Sequence, residues 1–382
     1  MQVSLLPAAA VPLAPPSAMT PGNGNGSGSL PAFCSIDESY KYVFLPVCYS
    51  FTFVFSLSLN AVVLYRSFRR TKRWNASLIY MVNLAATDLM YGLSLPFLVA
   101  SYVMRDRWVF GDLACRLVRF LFYFNLYCSI FFLTCISVHR YLGICHPMRV
   151  TALESKKAVK CACVLVWAAV FAFTCPIFRF AQTGRASDGA DYCWDDAVDR
   201  DFSDYVPYGV VLHLLGFFVP FSVIAWCYSH VVLTIFETVR SRPRDHAGVS
   251  VFPGADSPYA GRRRKSIRTI VAITLLFALC FFPFHVTRTV FLLLKVSKGV
   301  PCQTVTTVSM CYKVTRPLAS FNAWLNALLY FLTKDKGRCC PTANAAAGPL
   351  LPLRTMDEAE DRGRRRAEGP AVFTPPLPRN QT

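Results

Sequence analysis

Seven stretches of this chain are each long and apolar enough to cross a lipid bilayer: about Tyr42–Phe68, Ser77–Val103, Cys115–Cys145, Lys160–Phe180, Tyr205–Val239, Ser266–Leu294 and Thr306–Thr333. A helix spanning the hydrocarbon layer needs roughly 20 such residues. Inside lipid every backbone N–H and C=O has to be paired within its own segment, so runs of this length read as helices. The expected fold class is an all-α membrane protein, a bundle of seven transmembrane helices. Composition agrees, with 54% hydrophobic and only 16% charged residues, against about 25% charged in soluble domains. A disordered chain, a coiled coil and a disulfide-stapled mini-domain are excluded. A net charge of +18 alone would suit a nucleic-acid binder, but 31 Phe and 17 Tyr do not suit a solvated basic surface, so no nucleic-acid partner is expected. No repeat of 20–50 residues and no pair of matching halves is present, which argues against a repeat-built transporter.

Basic residues set the orientation, because loops rich in Lys and Arg stay in the cytoplasm. The first, third and fifth connections carry Arg66, Arg69, Arg70, Lys72 and Arg73, then Arg149, Lys156, Lys157 and Lys160, then Arg240, Arg242, Arg244 and the run Arg262–Arg268. The fourth connection is acidic, with seven aspartates between Asp188 and Asp204. The N-terminus is therefore expected outside and the C-terminus inside, in a multi-pass plasma-membrane protein. Three parts follow: a flexible extracellular tail over residues 1–40, a membrane domain over 41–334, and a disordered cytoplasmic tail over 335–382. Anionic lipid and an acidic partner face are further readings of the inner charge.

Cysteine and asparagine patterns refine the two faces. Of 16 cysteines, Cys34, Cys115, Cys193 and Cys302 fall on the oxidising side. One arrangement pairs Cys115 with Cys193 and Cys34 with Cys302; four free thiols is the alternative. Cys339 and Cys340, just past the last helix, are candidates for palmitoylation. Asn25-Gly26-Ser27 is a glycosylation sequon on the outer side. Asn75-Ala76-Ser77 has the same pattern but falls on the cytoplasmic face, where the modification does not occur.

Polar residues at mid-membrane depth default to function, because they are costly there. Asp88 in the second helix lies level with Asn60, Ser129, Asn322 and Asn326. Asn322, Asn326 and Tyr330 are spaced four apart and share one helix face. Asp88, Ser129, Asn322 and Asn326 are a candidate site for a structural sodium ion, with interhelical hydrogen bonding as the plainer reading. At the inner end of the third helix, Arg140 of His139-Arg140-Tyr141 is placed to meet a cytoplasmic partner. Pro220 and Pro283 each remove a backbone hydrogen bond and are expected to kink the fifth and sixth helices.

These residues carry a resemblance. Asn60, Leu84-Ala85-Ala86-Thr87-Asp88, Cys115, His139-Arg140-Tyr141, Trp167, Pro220 with Tyr228, and Phe277-Ala278-Leu279-Cys280-Phe281-Phe282-Pro283 resemble the fingerprints of rhodopsin-class G-protein-coupled receptors, one per helix and in order. The likeness covers about Lys41–Thr333. It implies a signalling receptor, not an enzyme, that needs no cofactor. It further implies coupling to a heterotrimeric G protein through His139, Arg140, Tyr141, Tyr228 and Tyr330, with arrestin as a further expected cytoplasmic partner. Phe277, Phe281, Pro283 and Pro220 would form its switch.

A second cluster is cationic and sits at the outer mouth: Arg119, one turn below Cys115; His285 and Arg288, three apart; Lys313 and Arg316, three apart. Like charges gathered at a membrane mouth repel and are desolvated. A polyanionic ligand relieves both costs, and arginine forks match phosphate oxygens. Tyr123 and Tyr127, one and two turns below Arg119, offer faces for a base. The segments Leu117–Tyr123, Asn125–Ile130, Phe284–Thr289 and Tyr312–Ser320 closely resemble the metabotropic purinoceptors, and among them the uridine-nucleotide branch. That resemblance implies a receptor for UTP, UDP or ATP, coupled through a Gq-class protein to phospholipase C and calcium release. It assigns the phosphates to Arg119, His285, Arg288, Lys313 and Arg316, and marks Asp195 as a ligand-site residue that pairs with an arginine when no nucleotide is bound.

The chain departs from that family in one place. Asn326-Ala327 stands where the family has Asp-Pro, so the helix is expected to run straighter there and coupling to differ. Among rival readings, a retinal pigment requires a lysine in the middle of the seventh helix, whereas Lys313 and Lys334 lie at its ends. A transporter or channel requires a continuous polar path. A receptor for a dicarboxylate or a lipid acid would use a similar cation cluster.

Overall fold

A computed structural model describes residues 39–71, 74–146, 155–185, 189–194, 202–240, 258–297 and 300–333. Asn25, Cys34, Asp195, Cys339, Cys340, the N-terminal tail up to residue 38 and the tail from 335 onward lie outside the described residues. The described part is almost wholly helical. Helices α1 (Lys41–Arg70), α2 (Ala76–Val103), α3 (Gly111–Cys145) and α4 (Lys156–Thr174) form the first four spans, and a short α5 (Ile177–Phe180) extends the fourth beyond a turn at Pro176. The fifth span runs through α6 (Phe202–His213), a π-helical turn at Leu214–Phe218 and α7 (Val219–Arg240). The sixth repeats that plan: α8 (Pro258–Leu276), a π turn at Phe277–Phe281 and α9 (Phe282–Val296). The seventh comprises α10 (Cys302–Ser320) and α11 (Asn322–Thr333).

Local chemistry explains the boundaries. The Asn75 side chain accepts a hydrogen bond from the Leu78 N–H at 2.9 Å and caps α2, so this sequon-like asparagine has a structural role. Ser155 caps α4 in the same way through the Ala158 N–H at 3.2 Å. The kinks expected at Pro220 and Pro283 take a specific form. Each proline ring would clash with the carbonyl four residues earlier, at Gly216 and Leu279. Both carbonyls fall inside the π turns, where the widened backbone makes room.

By length and hydropathy, six helices among the described residues qualify as membrane spans, and the seventh does not. Lys313, Arg316 and a run of hydroxyl residues lower its apolarity, and its helix breaks at Phe321, four residues after Pro317. Beyond the break α11 is uninterrupted across Ala327, as the missing proline leads one to expect. The lipid-facing surface is apolar, with Val43, Leu113 and Phe236 each more than two-thirds exposed. The third span forms the axis of the bundle: 72% of its apolar window is buried, against 28% in the first and fourth.

At one end a hairpin covers the bundle. Strands β1 (Thr183–Arg185) and β2 (Asp191–Cys193) pair antiparallel. A disulfide joins Cys193 to Cys115 at the start of α3, with Cα atoms 5.5 Å apart. The Trp108 N–H donates to the Asp191 carbonyl at 2.8 Å. Cys302 is disulfide-bonded as well. At the same end Lys41 and Asp106 form an ion pair at 2.6 Å, which ties the first helix to the turn after the second.

Candidate ligand site and the polar layer beneath it

The disulfide end of the bundle gathers most of the cations that the sequence singles out. Arg119, Arg288 and Arg316 are 5%, 0% and 4% exposed, so all three guanidinium groups are withdrawn from solvent, while Lys313 is half-buried. Each arginine is oriented by a different neighbour. Arg119 donates from Nη2 to the Cys193 carbonyl at 2.9 Å, so the disulfide hairpin fixes it. Arg288 donates from Nη2 to the Tyr205 hydroxyl at 2.5 Å and lies over the rings of Tyr312 (4.8 Å), Tyr205 (5.7 Å) and Phe291 (5.9 Å). Arg316 lies over Phe122 at 5.2 Å. Ring faces carry negative charge and stabilise a desolvated cation by up to about 2 kcal/mol.

A chain of ring contacts links Arg316 to Arg288. Phe122, one turn below Arg119, meets Phe284 at 5.7 Å, and Phe284 meets Tyr312 at 6.0 Å. Arg316 and Arg288 therefore sit at the two ends of one aromatic path across the third, sixth and seventh spans. Thr287 and Thr315 hydrogen-bond at 2.7 Å and join the sixth to the seventh.

Tyr123 and Tyr127 stack 6.5 Å apart down the third helix, as their spacing leads one to expect, and Tyr127 approaches His285 at 5.8 Å. His285 is stacked on Phe217 at 4.2 Å and faces His213 at 5.0 Å. His213 in turn hydrogen-bonds through Nδ1 to the Thr289 hydroxyl at 3.1 Å. Glycine at position 216 permits this approach: a Cβ there would lie 2.5 Å from Tyr127 Cε1. Both ring nitrogens of His285 and the Tyr127 hydroxyl are buried without a hydrogen-bond partner among the described residues. Buried polar atoms of this kind call for a ligand or water.

Sequence reasoning did not find Tyr205, Tyr312, Phe122, Phe291 or His213. Tyr312 adjoins Lys313 in a segment already singled out, so its signal was present. Tyr205 lies 83 positions from Arg288 and gave none.

The mid-membrane polar residues do converge. Asn326 Nδ2 lies 3.3 and 3.4 Å from the two Asp88 oxygens, 3.1 Å from Ser129 Oγ and 3.4 Å from Asn322 Oδ1. Ser129 donates to Asn322 Oδ1 at 3.2 Å. Asn125, which the sequence reading did not assign to this layer, donates to Asp88 Oδ1 at 2.7 Å. Asn60 donates to the Ala323 carbonyl at 2.7 Å, and the Ser56 hydroxyl approaches it at 3.5 Å. That carbonyl is the helical partner of the Ala327 N–H, and a proline at 327 would leave it to its side-chain donors alone.

At the opposite end Tyr228 and Ser137 hydrogen-bond at 2.6 Å. Tyr141 bonds His146 at 3.1 Å and packs on Trp226 at 5.1 Å. Arg140 is partly exposed and forms no ion pair among the described residues, where its neighbour is His139 rather than an acid. Phe277 and Phe281 are buried, with ring centres 5.0 Å apart inside the sixth-span π turn. Tyr330 is buried on α11.

Residues 59–330 match the family described as 7 transmembrane receptor (rhodopsin family). Similar proteins include purinoceptor 3 of Gallus gallus, 39% identical over 306 residues, which cover 80% of this chain and 89% of that protein. Purinoceptor 2 of Homo sapiens is 42% identical over 79% of this chain and 76% of its own length. Purinoceptor 4 of Homo sapiens is 39% identical over 82% of each. The seven helices, the Cys115–Cys193 bridge and this likeness have one conclusion: the chain is a multi-pass plasma-membrane receptor of the rhodopsin family and belongs to its metabotropic purinoceptors.

Proposed function

We propose that this receptor answers extracellular nucleotides, with UTP and UDP preferred and ATP accepted, and signals through a Gq-class protein to phospholipase C and calcium. The observation that carries the reading is the set of three buried guanidinium groups at the disulfide end, each held by a carbonyl, a hydroxyl or a ring. A nucleotide's phosphates bring several negative charges to this cationic cluster, and bidentate N–H···O pairs supply the orientation. Lys313 and His285 complete the phosphate set, and Tyr123 and Tyr127 offer faces to the base. Asp195, two residues beyond Cys193, pairs with one of the arginines until phosphate displaces it. This end faces the exterior, and Arg140, Tyr141, Tyr228 and Tyr330 meet the G protein inside; arrestin docks at the same inner face.

Binding favours one position of the sixth span, and the G protein favours the same position from the other side. The two π turns, each beside a proline, are where that movement has backbone freedom. A sodium ion fits the mid-membrane layer. The oxygens of Asp88, Ser129 and Asn322 already converge on one nitrogen, Asn326 Nδ2, and rotating that amide away leaves them for a cation. Replacing sodium by choline in a nucleotide-competition assay tests this, with an unchanged affinity counting against it.

The deciding experiment is a calcium assay in receptor-null cells with UTP, UDP, ATP and ADP, beside succinate as a dicarboxylate control. Nucleotides evoke a response that Arg316→Ala abolishes. A response to the dicarboxylate alone, or to nothing when the receptor is present at the surface, overturns the reading.

A further inference from the structure

A cavity far from the cation cluster opens between α7 and the sixth span, on the Arg140 side of the fifth-span π turn and alongside the sixth-span one. It is a groove of about 820 Å³ whose floor is Tyr228 and Phe277 and whose rim includes Phe221 and Phe282. It exists because Ala225 and Ala278 face it from the two helices, where larger side chains would close it. Both alanines are exposed, and the surrounding surface is apolar: Trp226 and Leu233 on one helix, Leu275 and Leu279 on the other. All lie within membrane-spanning helices, so the groove opens into the bilayer and its occupant is a membrane component.

Hydroxyl chemistry identifies which one. Three side chains lining the groove carry a hydroxyl: Tyr228, Ser229 and Thr274. Ser229 donates its proton to the Ala225 carbonyl at 2.8 Å, and Thr274 donates to the Ile270 carbonyl at 2.9 Å. Ser137 donates to the Leu133 carbonyl at 2.8 Å, so in the Tyr228–Ser137 pair the tyrosine is the donor. Every hydroxyl proton is thus engaged, and what Ser229 and Thr274 still offer is acceptor lone pairs. A matching occupant is rigid hydrocarbon with one hydrogen-bond donor. A phospholipid acyl chain has no donor, and its ester oxygens only accept. A rigid ring system also loses less freedom on binding than a flexible chain. The plasma membrane is rich in sterols.

We propose that this groove is a binding site for a membrane sterol, which donates its hydroxyl to Thr274 or Ser229 and lays its ring system along Phe221 and Phe282, whose own rings meet at 6.2 Å. Because Phe277 begins the sixth-span π turn and Tyr228 bonds the third span, an occupant stabilises this arrangement of the fifth and sixth spans. By linkage, sterol content and G-protein engagement then influence each other.

The test uses the full-length receptor in lipid nanodiscs containing a photoactivatable cholesterol analogue, with labelled peptides mapped after digestion. The proposal expects labelling in 221–233 and 274–282, suppressed by excess cholesterol but not by excess saturated phosphatidylcholine. The 3-O-methyl ether of cholesterol should compete about tenfold less well, the worth of one hydrogen bond to a neutral acceptor. That difference should vanish in the double variant Ser229→Ala/Thr274→Val. Ala225→Phe and Ala278→Phe should each reduce labelling at least fivefold. Labelling confined to other helices overturns the proposal, as does equal displacement by phospholipid, which would mark ordinary boundary lipid. Equal competition by cholesterol and its methyl ether overturns it too. The competition arms use the unmodified protein and stay decisive if a filled variant fails to fold.

Discussion

The two ends of this helical bundle treat arginine in opposite ways. At the disulfide end three guanidinium groups are buried, and each is aimed by a fixed neighbour: the Cys193 carbonyl, the Tyr205 hydroxyl with its surrounding rings, and the Phe122 face. At the other end Arg140 is partly exposed and has no ion pair among the described residues, and toward that side a groove opens on the bilayer face of the fifth and sixth spans. The contrast is one of preorganisation. An end that recognises a small polyanion gains from rigid, desolvated donors. An end that engages a large partner through helix movement gains from loose packing and an uncommitted charge.

That comparison breaks most readily at Arg288. Arg288→Ala removes a buried charge together with a hydroxyl bond and three ring contacts, and nucleotide potency in the calcium assay should fall by about a hundredfold, since hydrogen bonds to charged groups contribute up to about 3 kcal/mol. Wild-type potency in that variant would mean that the buried cations are structural. Tyr205→Phe should cost less, about tenfold, because the ring contact survives while the hydroxyl bond is lost. Combining it with Arg288→Ala should add nothing further, because Tyr205 acts through the arginine. Additive losses would show instead that Tyr205 touches the ligand itself.

The looser end and the layer above it give smaller effects. Ala327→Pro removes the N–H that serves the Ala323 carbonyl and pushes the ring against that carbonyl, which already accepts from Asn60. Maximal G-protein activation should change severalfold while nucleotide affinity stays within about threefold, because the disturbance lies below the ligand site. Identical activation would show that the absent proline is silent. His139→Asp places a carboxylate beside Arg140 and should lower nucleotide-independent signalling about two- to threefold, as expected for a partly exposed ion pair of up to about 1 kcal/mol. Unchanged basal signalling would mean that Arg140 is restrained by something other than its neighbour's charge.

Legibility differed between parts of the chain for physical reasons. Period and hydropathy identified the spans because lipid imposes one rule on every residue facing it. That signal is weakest at the seventh, where Lys313 and Arg316 depress the average although the segment still packs as helix. Spacing along one helix placed Tyr123 above Tyr127 correctly, since helix geometry fixes neighbours three and four residues apart. It had no means of finding Tyr205 or Asn125, whose partners stand on other helices. Nor did it distinguish the sequon-like Asn75 as a helix cap, because the same side chain serves either purpose.

The sequence by itself determined what the bilayer and the covalent chain dictate: seven helices, their prolines, a cationic end and a polar mid-layer, all readable from local composition and period. Only the tertiary structure decided which neighbour aims each arginine, that the polar side chains of the mid-layer converge on one amide nitrogen, and that a groove lies beside the sixth span. Those depend on how far apart helices settle and how they are rotated, quantities set by side chains distant in the chain and packed together only in the fold.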